Sequence, residues 1–148
     1  MSKLVDESGK YIGPLSVGGD LDLRNTKITE LPDNLSVGRS LYLRNTGITE
    51  LPDNLSVGGD LDLRNTKITE LPDNLSVGRS LYLGQWSMRY SSETGLFHIG
   101  CKDKTIKEWD EWFAGDEEYE TKRGTDEFKK IEWAYGVVKD WLKRKGII

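Results

Sequence analysis

A twenty-residue block, repeated almost without change, constrains this chain more than any other feature. It reads LSVGGDLDLRNTKITELPDN in its first copy. Copies fill residues 15–34, 35–54 and 55–74, and a partial copy occupies residues 75–88 and departs from the pattern after Leu83. A fixed period of this length is typical of solenoids, in which each repeat forms one coil that stacks on its neighbours. We therefore expect these residues to form a single stack of coils.

Six apolar positions recur in every coil and predict its interior. In the first coil they are Leu15, Val17, Leu21, Leu23, Ile28 and Leu31. The Leu-x-Leu segment has a period of two, which predicts a short strand with both leucines pointing inward. Equivalent strands should pair as a parallel sheet, about 4.8 Å apart. The Leu-Pro-Asp-Asn segment predicts an extended or turn-like return rather than a helix, because proline fixes φ and lacks an N–H donor.

A threonine follows the strand at the same place in each coil. These residues, Thr26, Thr46 and Thr66, lie five positions after the first strand leucine. Buried backbone groups in a turn need hydrogen-bond partners. We expect the stacked threonines to supply them where the chain leaves the strand.

The pattern Leu-x-Leu-x-x-Thr-x-Ile-x-x-Leu-Pro, as in Leu21 to Pro32, resembles the leucine-rich repeat in its short 20-residue bacterial form. It is most similar to versions spelled LPxNLxVGGxLxLxxTxI in phage and bacterial proteins. The threonines described above stand where the family usually has a ladder of asparagines. The resemblance covers residues 11–88 and implies an α/β leucine-rich-repeat-like solenoid with a short-strand parallel sheet. It implies a recognition surface and no chemistry.

The near-identity of the coils is a separate observation. Natural repeats drift, yet residues 15–34 and 55–74 match at all 20 positions. The remaining differences follow a two-coil rhythm, in which Gly-Gly-Asp-Leu-Asp alternates with Gly-Arg-Ser-Leu-Tyr. Either a recent 40-residue duplication or deliberate idealisation would produce this pattern. We favour design, because consensus repeats are unusually designable.

The segments outside the repeats predict structures that cover the two ends. Residues 1–14 predict an N-terminal β-hairpin cap, with strands at residues 3–5 and 10–12. Residues 89–148 predict an α+β capping region that contains a second hairpin around residues 91–95 and two helices. Thr105 and Glu108 form a capping box at the start of the first helix. Thr125 caps the second helix, which runs to about Lys145. Its apolar face contains Phe128, Ile131, Tyr135, Val138 and Leu142.

The C-terminal segment also carries a resemblance and a cluster of tryptophans. IGCKDKTIKEWDEWF and YETKRGTDEF are similar to tails that follow these repeats in phage proteins. We interpret Trp109, Trp112, Trp133 and Trp141 as the core of a small helical cap. Exposure of Trp112 or Trp133 would favour self-association through this region. In the last coil, Trp86 takes the place of Thr66 and is expected to fill the end of the stack.

Side chains between the inward leucines predict the functional surface. The candidate protein-binding face contains Asp22, Arg24, Tyr42, Arg44, Asp62, Arg64 and Tyr82. Tyrosine and arginine are enriched at protein interfaces. The alternative is a solvated sheet face whose alternation keeps like charges apart, with an aspartate within diagonal reach of each arginine. Because these aspartates cancel most of the arginine field, we expect no phosphate or nucleic-acid site here.

Composition and motifs argue against the remaining classes of function. The net charge of −4 offers no electrostatic footprint for nucleic acid or an anionic membrane. One cysteine, no apolar targeting segment and no long apolar run predict a soluble cytoplasmic protein.

His98 and Cys101 are too few for a structural zinc site and lack a third group that would orient a nucleophile. The acidic run of Glu117, Glu118 and Glu120 is interpreted as a solvated loop. We therefore expect no enzyme, catalytic residue, metal or cofactor.

Two functions remain open. The first is a non-enzymatic consensus or designed leucine-rich-repeat scaffold with no native ligand. The alternative is a phage or bacterial recognition module that binds another protein through the outward sheet face.

Overall fold

The repeats form a β-solenoid of about three turns, and the chain ends in a long helix. In the computed structural model, the described residues are 4–84, 88–100, 102–117 and 121–148. The expectations for residue 3, Trp86, Cys101, Glu118 and Glu120 lie outside these ranges. No helix within the ranges is long and apolar enough to cross a membrane.

Each coil contributes one strand to each of two sheets, and the strands of neighbouring coils pair in parallel. The four-stranded sheet contains, in order, β1 (Ser16–Val17), β3 (Ser36–Val37), β5 (Ser56–Val57) and β7 (Ser76–Val77). The second sheet contains the parallel strands β2 (Leu21–Asp22), β4 (Leu41–Tyr42), β6 (Leu61–Arg64) and β8 (Ser80–Gly84). Each residue lies opposite its equivalent in the next coil, as Leu21 lies opposite Leu41. The sequence predicted the second of these sheets but not the first.

The predicted interior is confirmed except at two positions of the first coil, Leu15 and the partly buried Val17. Leu35, Leu55 and Leu75 are fully buried, but the equivalent Leu15 is 52% exposed. Leu15 has a coil on one side only, and β1 pairs with β3 alone among the described strands. The apolar ladder therefore runs through the solenoid and opens to solvent beside β1.

The turn after each strand uses two side chains. Each threonine hydroxyl donates to the carbonyl of the residue three positions earlier, as predicted: Thr26 to Leu23 at 2.7 Å, Thr46 to Leu43 at 2.7 Å and Thr66 to Leu63 at 2.8 Å. The preceding asparagines, Asn25, Asn45 and Asn65, have φ of 59°, 59° and 55°. Asparagine adopts this left-handed region more readily than most residues. The turn after each strand requires this backbone conformation at the asparagine.

The asparagine side chains also connect the coils. Nδ2 of Asn45 donates to Oδ1 of Asn25 at 2.9 Å, and Nδ2 of Asn65 donates to Oδ1 of Asn45. A second amide pair joins Asn54 to Asn34 at 3.2 Å, in the Leu-Pro-Asp-Asn corner. An asparagine ladder is thus present one position before the threonines.

Antiparallel strands extend the second sheet beyond the repeats. β9 (Arg89–Ser91) pairs with β8, β10 (Leu96–Ile99) pairs with β9, and β11 (Lys102–Thr105) pairs with β10. The hairpin between β9 and β10 was predicted, whereas β11 was not. The two predicted helices follow, α1 (Ile106–Ala114) and α2 (Asp126–Arg144), and each is N-capped by the expected threonine, Thr105 or Thr125.

The two helices pack through aromatic side chains. Trp112 lies 5.7 Å from Phe128 between ring centroids, and Phe113 lies 4.8 Å from Tyr135. Trp109, Trp112 and Trp141 are buried, as interpreted from the sequence. Trp133 of α2 is 45% exposed.

Side chains from the C-terminal segment replace the hydrogen bonds of a further coil. Within the stack, the Leu55 carbonyl accepts from Ser76 N–H at 3.0 Å, and the Val57 carbonyl accepts from Gly78 N–H at 2.9 Å. In the last coil, the equivalent Leu75 carbonyl accepts from Lys145 Nζ at 2.7 Å. The Val77 carbonyl accepts from the Ser92 hydroxyl at 3.0 Å.

The N-terminal segment contacts a different side of the stack. Val5 and Tyr11 form an antiparallel bridge, as expected for a small hairpin. The Gly9 carbonyl accepts from Thr29 N–H at 2.8 Å, which attaches the hairpin to the return segment of the first coil. Ile12, next to the hairpin, is 52% exposed. The hairpin thus contacts the return segment of the first coil. The edge of β1 that faces away from β3 pairs with no described strand.

Candidate functional site

The seven candidate residues form one continuous surface on the second sheet. Asp22 lies opposite Tyr42, Tyr42 opposite Asp62, and Asp62 opposite Tyr82. The arginines form a parallel column beside them, because Asn25 N–H bonds the Arg44 carbonyl and Asn45 N–H bonds the Arg64 carbonyl. The seven positions therefore align on one side of the second sheet.

The first and third coils carry the same charged unit. Arg24 donates from Nε to Asp22 Oδ1 at 2.9 Å and from Nη2 to Asp22 Oδ2 at 2.7 Å. Arg64 binds Asp62 in the same two-pronged way, at 2.9 and 2.8 Å. This geometry matches the planar guanidinium to the carboxylate and fixes both side chains.

Each paired guanidinium also lies over a tyrosine of the next coil. Arg24 Cζ lies 5.2 Å from the ring centroid of Tyr42, and Arg64 Cζ lies 4.9 Å from that of Tyr82. Cations at such distances are attracted to the face of an aromatic ring. The aspartate, arginine and tyrosine of two neighbouring coils therefore form a preorganised unit that recurs every 40 residues.

The two copies of this unit differ in burial. Asp22 belongs to the outermost strand and is exposed, whereas Asp62 lies between the Tyr42 and Tyr82 strands and is only 2% exposed. Asp62 therefore departs from the alternative interpretation of a solvated sheet face. The hydrogen bond from Arg24, opposed by slight desolvation, holds the pKa of Asp22 below its ordinary value.

The ion pairs of the arginine column form within a coil. The sequence predicted an aspartate within diagonal reach of each arginine, and the charges of Arg44 and Asp22 do interact across neighbouring coils, but both ion pairs join residues two positions apart. The second coil has Tyr42 where the first and third have aspartate. Among the described residues, the Arg44 guanidinium accordingly makes no hydrogen bond or ion pair, and its charge acts on Asp22 only through space.

A second column, at the start of the strands, ties the coils together. Asp20 Oδ1 accepts from Ser40 N–H at 2.9 Å, and Asp60 Oδ1 accepts from Ser80 N–H at 3.0 Å. Between them, the Ser40 hydroxyl accepts from Asp60 N–H at 3.1 Å. The alternation of aspartate and serine in this column therefore has a structural role.

A small cavity opens at the other end of the strands. Its volume is about 280 Å³, and it is lined by Arg44, Asn45, Arg64 and Asn65. The sequence identified the arginines as face residues but did not include the asparagines. The sequence feature that could have identified these asparagines is that one follows each arginine of the column directly.

Other polar clusters have structural partners. His98 Nδ1 lies 2.8 Å from Asp103 Oδ1 across β10 and β11. Tyr135 donates to Asp110 at 2.7 Å, and burial followed by this contact raises the pKa of Tyr135 strongly. Within the described ranges, no three His, Cys, Asp or Glu residues are grouped so that they could hold a metal ion.

A comparison of the chain with protein-family models, with curated proteins and with solved structures gives no match.

Proposed function

We propose that this chain is a non-enzymatic, leucine-rich-repeat-like recognition module that binds another protein through the sheet face. The observation that carries the proposal is the Arg44 charge at the centre of the arginine column, beside two preorganised units of aspartate, arginine and tyrosine. Side chains that are fixed before binding lose little entropy when a partner docks. Tyrosine and arginine are also the residue types that most often dominate binding energy at interfaces.

In this proposal the two ends of the chain act as caps. The N-terminal hairpin covers the return side of the first coil, and the C-terminal region completes the hydrogen bonds of the last coil. Isolated coils need such covers, because each repeat is stabilised mainly by its neighbours. With a single cysteine in the chain, we also propose a reducing, cytoplasmic location. The exposed Trp133 supports self-association through α2 as an additional contact.

A second candidate function is a designed scaffold with no native ligand. It is supported by the identity of the first and third coils at all 20 positions. It is also supported by the contacts within the face, since most of its polar groups are paired inside the chain. Both candidates predict the same fold and differ only in whether the face has a partner.

The test is capture of proteins from bacterial extract on the immobilised chain, with identification by mass spectrometry. The comparison is a variant that carries Tyr42→Ser, Arg44→Ser and Tyr82→Ser, checked by circular dichroism for an unchanged fold. We expect a protein that is retained by the wild type, lost by the variant, and confirmed by titration with the purified partner. Equal capture by both folded proteins would refute the recognition function and leave the scaffold.

A further inference from the structure

Arg44 differs from the other two arginines of its column in its surroundings. Arg24 and Arg64 each have an aspartate two positions earlier and a tyrosine in the next coil. Arg44 has Tyr42 two positions earlier, and the residue opposite Tyr42 in the next coil is Asp62, which is already bound to Arg64. The two-coil rhythm thus leaves Arg44, a partly buried residue, without a carboxylate of its own.

The cavity beside Arg44 contains further donors. Asn45 and Asn65 each use one amide N–H in the ladder that connects the coils. A side-chain amide has two N–H donors, so each asparagine keeps a second one. Arg64 adds a guanidinium that is already oriented by Asp62. The lining therefore presents two cations and two amide donors around about 280 Å³ of space.

The charge of the face is divided along the strands. The carboxylates of Asp20 and Asp60 lie four residues before the arginines, which is about 13 Å along an extended strand. This distance exceeds the Debye length of about 8 Å at physiological ionic strength, so their effect on the arginine column is screened. Exposed lysines, Lys27 and Lys67, follow the arginines by three positions. The end of the face where the strands finish is therefore net positive.

We propose that Arg44, together with Arg64, Asn45 and Asn65, binds the carboxylate of an aspartate or glutamate in an acidic segment of the partner protein. The inference rests on the proposed function and specifies the chemistry of its central contact. A planar carboxylate matches the fork of a guanidinium and can accept from the amides at the same time. A phosphate group would bring a second negative charge close to Asp22 and Asp62, which disfavours it.

The primary experiment follows the arginine Nε–Hε resonances of the whole ¹⁵N-labelled chain by NMR. The probes are the tripeptide amides acetyl-Gly-Glu-Gly and acetyl-Gly-Gln-Gly, and inorganic phosphate. We expect the glutamate peptide to shift the Arg44 resonance saturably, and the glutamine peptide to leave it in place. Equal shifts with both peptides, equal shifts at exposed Arg39 and Arg79, or tighter binding of phosphate would each overturn the proposal.

Two pairs of variants provide matched controls. Tyr42→Asp restores the aspartate of the first and third coils and should satisfy Arg44 internally, so affinity for the glutamate peptide should fall at least about tenfold. Tyr42→Asn removes the same ring without adding a charge and should keep most of the affinity. Arg44→Gln should also lose about tenfold, while Arg39→Gln, in the same coil, should lose little. Similar affinities for the members of either pair, with both folded, would contradict the assignment.

The outcomes separate this inference from the proposed function. A partner that needs Tyr42 and Tyr82 but binds Arg44→Gln as well as the wild type would leave the recognition function and refute the carboxylate contact. Absence of any partner in the capture experiment would refute the recognition function itself.

Discussion

Neighbouring coils approach each other closely at the glycines between the two sheets. A Cβ atom added to Gly58 would lie 2.3 Å from the carbonyl oxygen of Gly38. A Cβ atom on Gly18, at the same position of the first coil, would have no heavy atom within 4 Å. The obstacle at Gly58 is backbone, which cannot move aside as a flexible side chain can.

We therefore predict that Gly58→Ala destabilises the fold by about 1–3 kcal/mol, as overpacking usually does. The matched variant Gly18→Ala should leave the free energy of unfolding unchanged or slightly higher, since alanine restricts the unfolded chain. Urea unfolding followed by circular dichroism measures both values. A similar loss in the two variants would show that the coils are not stacked as described.

A second residue-scale prediction compares Asp62 with Asp22, which make the same bonds to arginine in different surroundings. Asp62→Asn should cost about 1–3 kcal/mol, because it removes charged hydrogen bonds in a buried site. Asp22→Asn should cost less than about 1 kcal/mol, because exposed ion pairs contribute little. The comparison again uses urea unfolding at neutral pH. Equal losses of unfolding free energy in the two variants would mean that the burial of Asp62 between Tyr42 and Tyr82 does not strengthen its bonds to arginine.

At the scale of elements, the end of α2 holds the last coil through Lys145 and Arg144. Lys145 bonds the Leu75 carbonyl, and Arg144 bonds the Leu71 carbonyl at 2.8 Å. We predict that Lys145→Met increases hydrogen exchange at the Ser76 and Gly78 amides, which lie in the outermost coil. Lys143→Met removes an exposed charge two residues away and should leave this exchange unchanged. Equal exchange in the two variants would contradict this role of Lys145.

The contact between the two helices should depend on pH. Lys139 and Tyr135 of α2 both bond Asp110 of α1, at 2.8 and 2.7 Å. Partial burial raises the pKa of Asp110, but these two bonds together lower it below its ordinary value of 3.8. A lowered pKa in the folded state stabilises the fold above the ordinary pKa, and the effect disappears as pH falls through the folded value.

Lys139→Met should therefore lower the free energy of unfolding at pH 7 by about 0.5–1 kcal/mol, a modest value because Asp110 is partly exposed. The difference from wild type should shrink below pH 4 and vanish once Asp110 is protonated in both proteins. Thermal unfolding of both proteins across this range measures the effect. A difference that stays constant with pH would point to lost packing of the lysine stem instead.

Elements with strong periodicity were predictable from the sequence, and short or polar ones were not. The Leu-x-Leu strands, the β9–β10 hairpin and both helices have alternating or helical apolar patterns with clear turn or capping residues. The strands of the four-stranded sheet contain only a serine and a valine each, which is too short for a pattern. β11 reads Lys-Asp-Lys-Thr, so its pairing with β10 comes from backbone hydrogen bonds rather than an apolar face.

The candidate face was predictable in its membership but not in its pairing. Strict repetition placed the seven residues on one surface, because equivalent positions of stacked coils must align. Charge type alone could not decide between diagonal pairs and pairs within a coil, since both bring unlike charges together. Likewise, Asp62 is buried by tyrosines of the coils on both sides. The sequence identifies these neighbours only once the register of the strands is known.

At the scale of the whole molecule, the alternation of aspartate and tyrosine makes two coils the repeating unit. Inserting a second copy of residues 35–74 after Asn74 preserves this alternation. We predict a folded protein of undiminished stability whose longest dimension grows by about 10 Å in small-angle X-ray scattering.

Inserting only a second copy of residues 55–74 provides the control. It adds an equally apolar coil but places two aspartates opposite each other on neighbouring strands. Like charges in this position are destabilising, so we expect a loss of about 1 kcal/mol relative to the two-coil insertion. Equal stability of the two insertions would show that the alternation has no energetic role.

The open side of β1 determines how copies of this molecule can join through the four-stranded sheet. At the opposite edge of that sheet, Lys145 and Ser92 already occupy the carbonyls that a new strand would need. If β1 of one copy paired with β7 of the next, the contact could repeat and form a fibre. This pairing is blocked at the β7 edge. Pairing of β1 with β1 of a second copy uses up both open edges. Growth through this sheet would then end at a closed dimer, because the side chains that bond the last coil also block the second edge of the sheet.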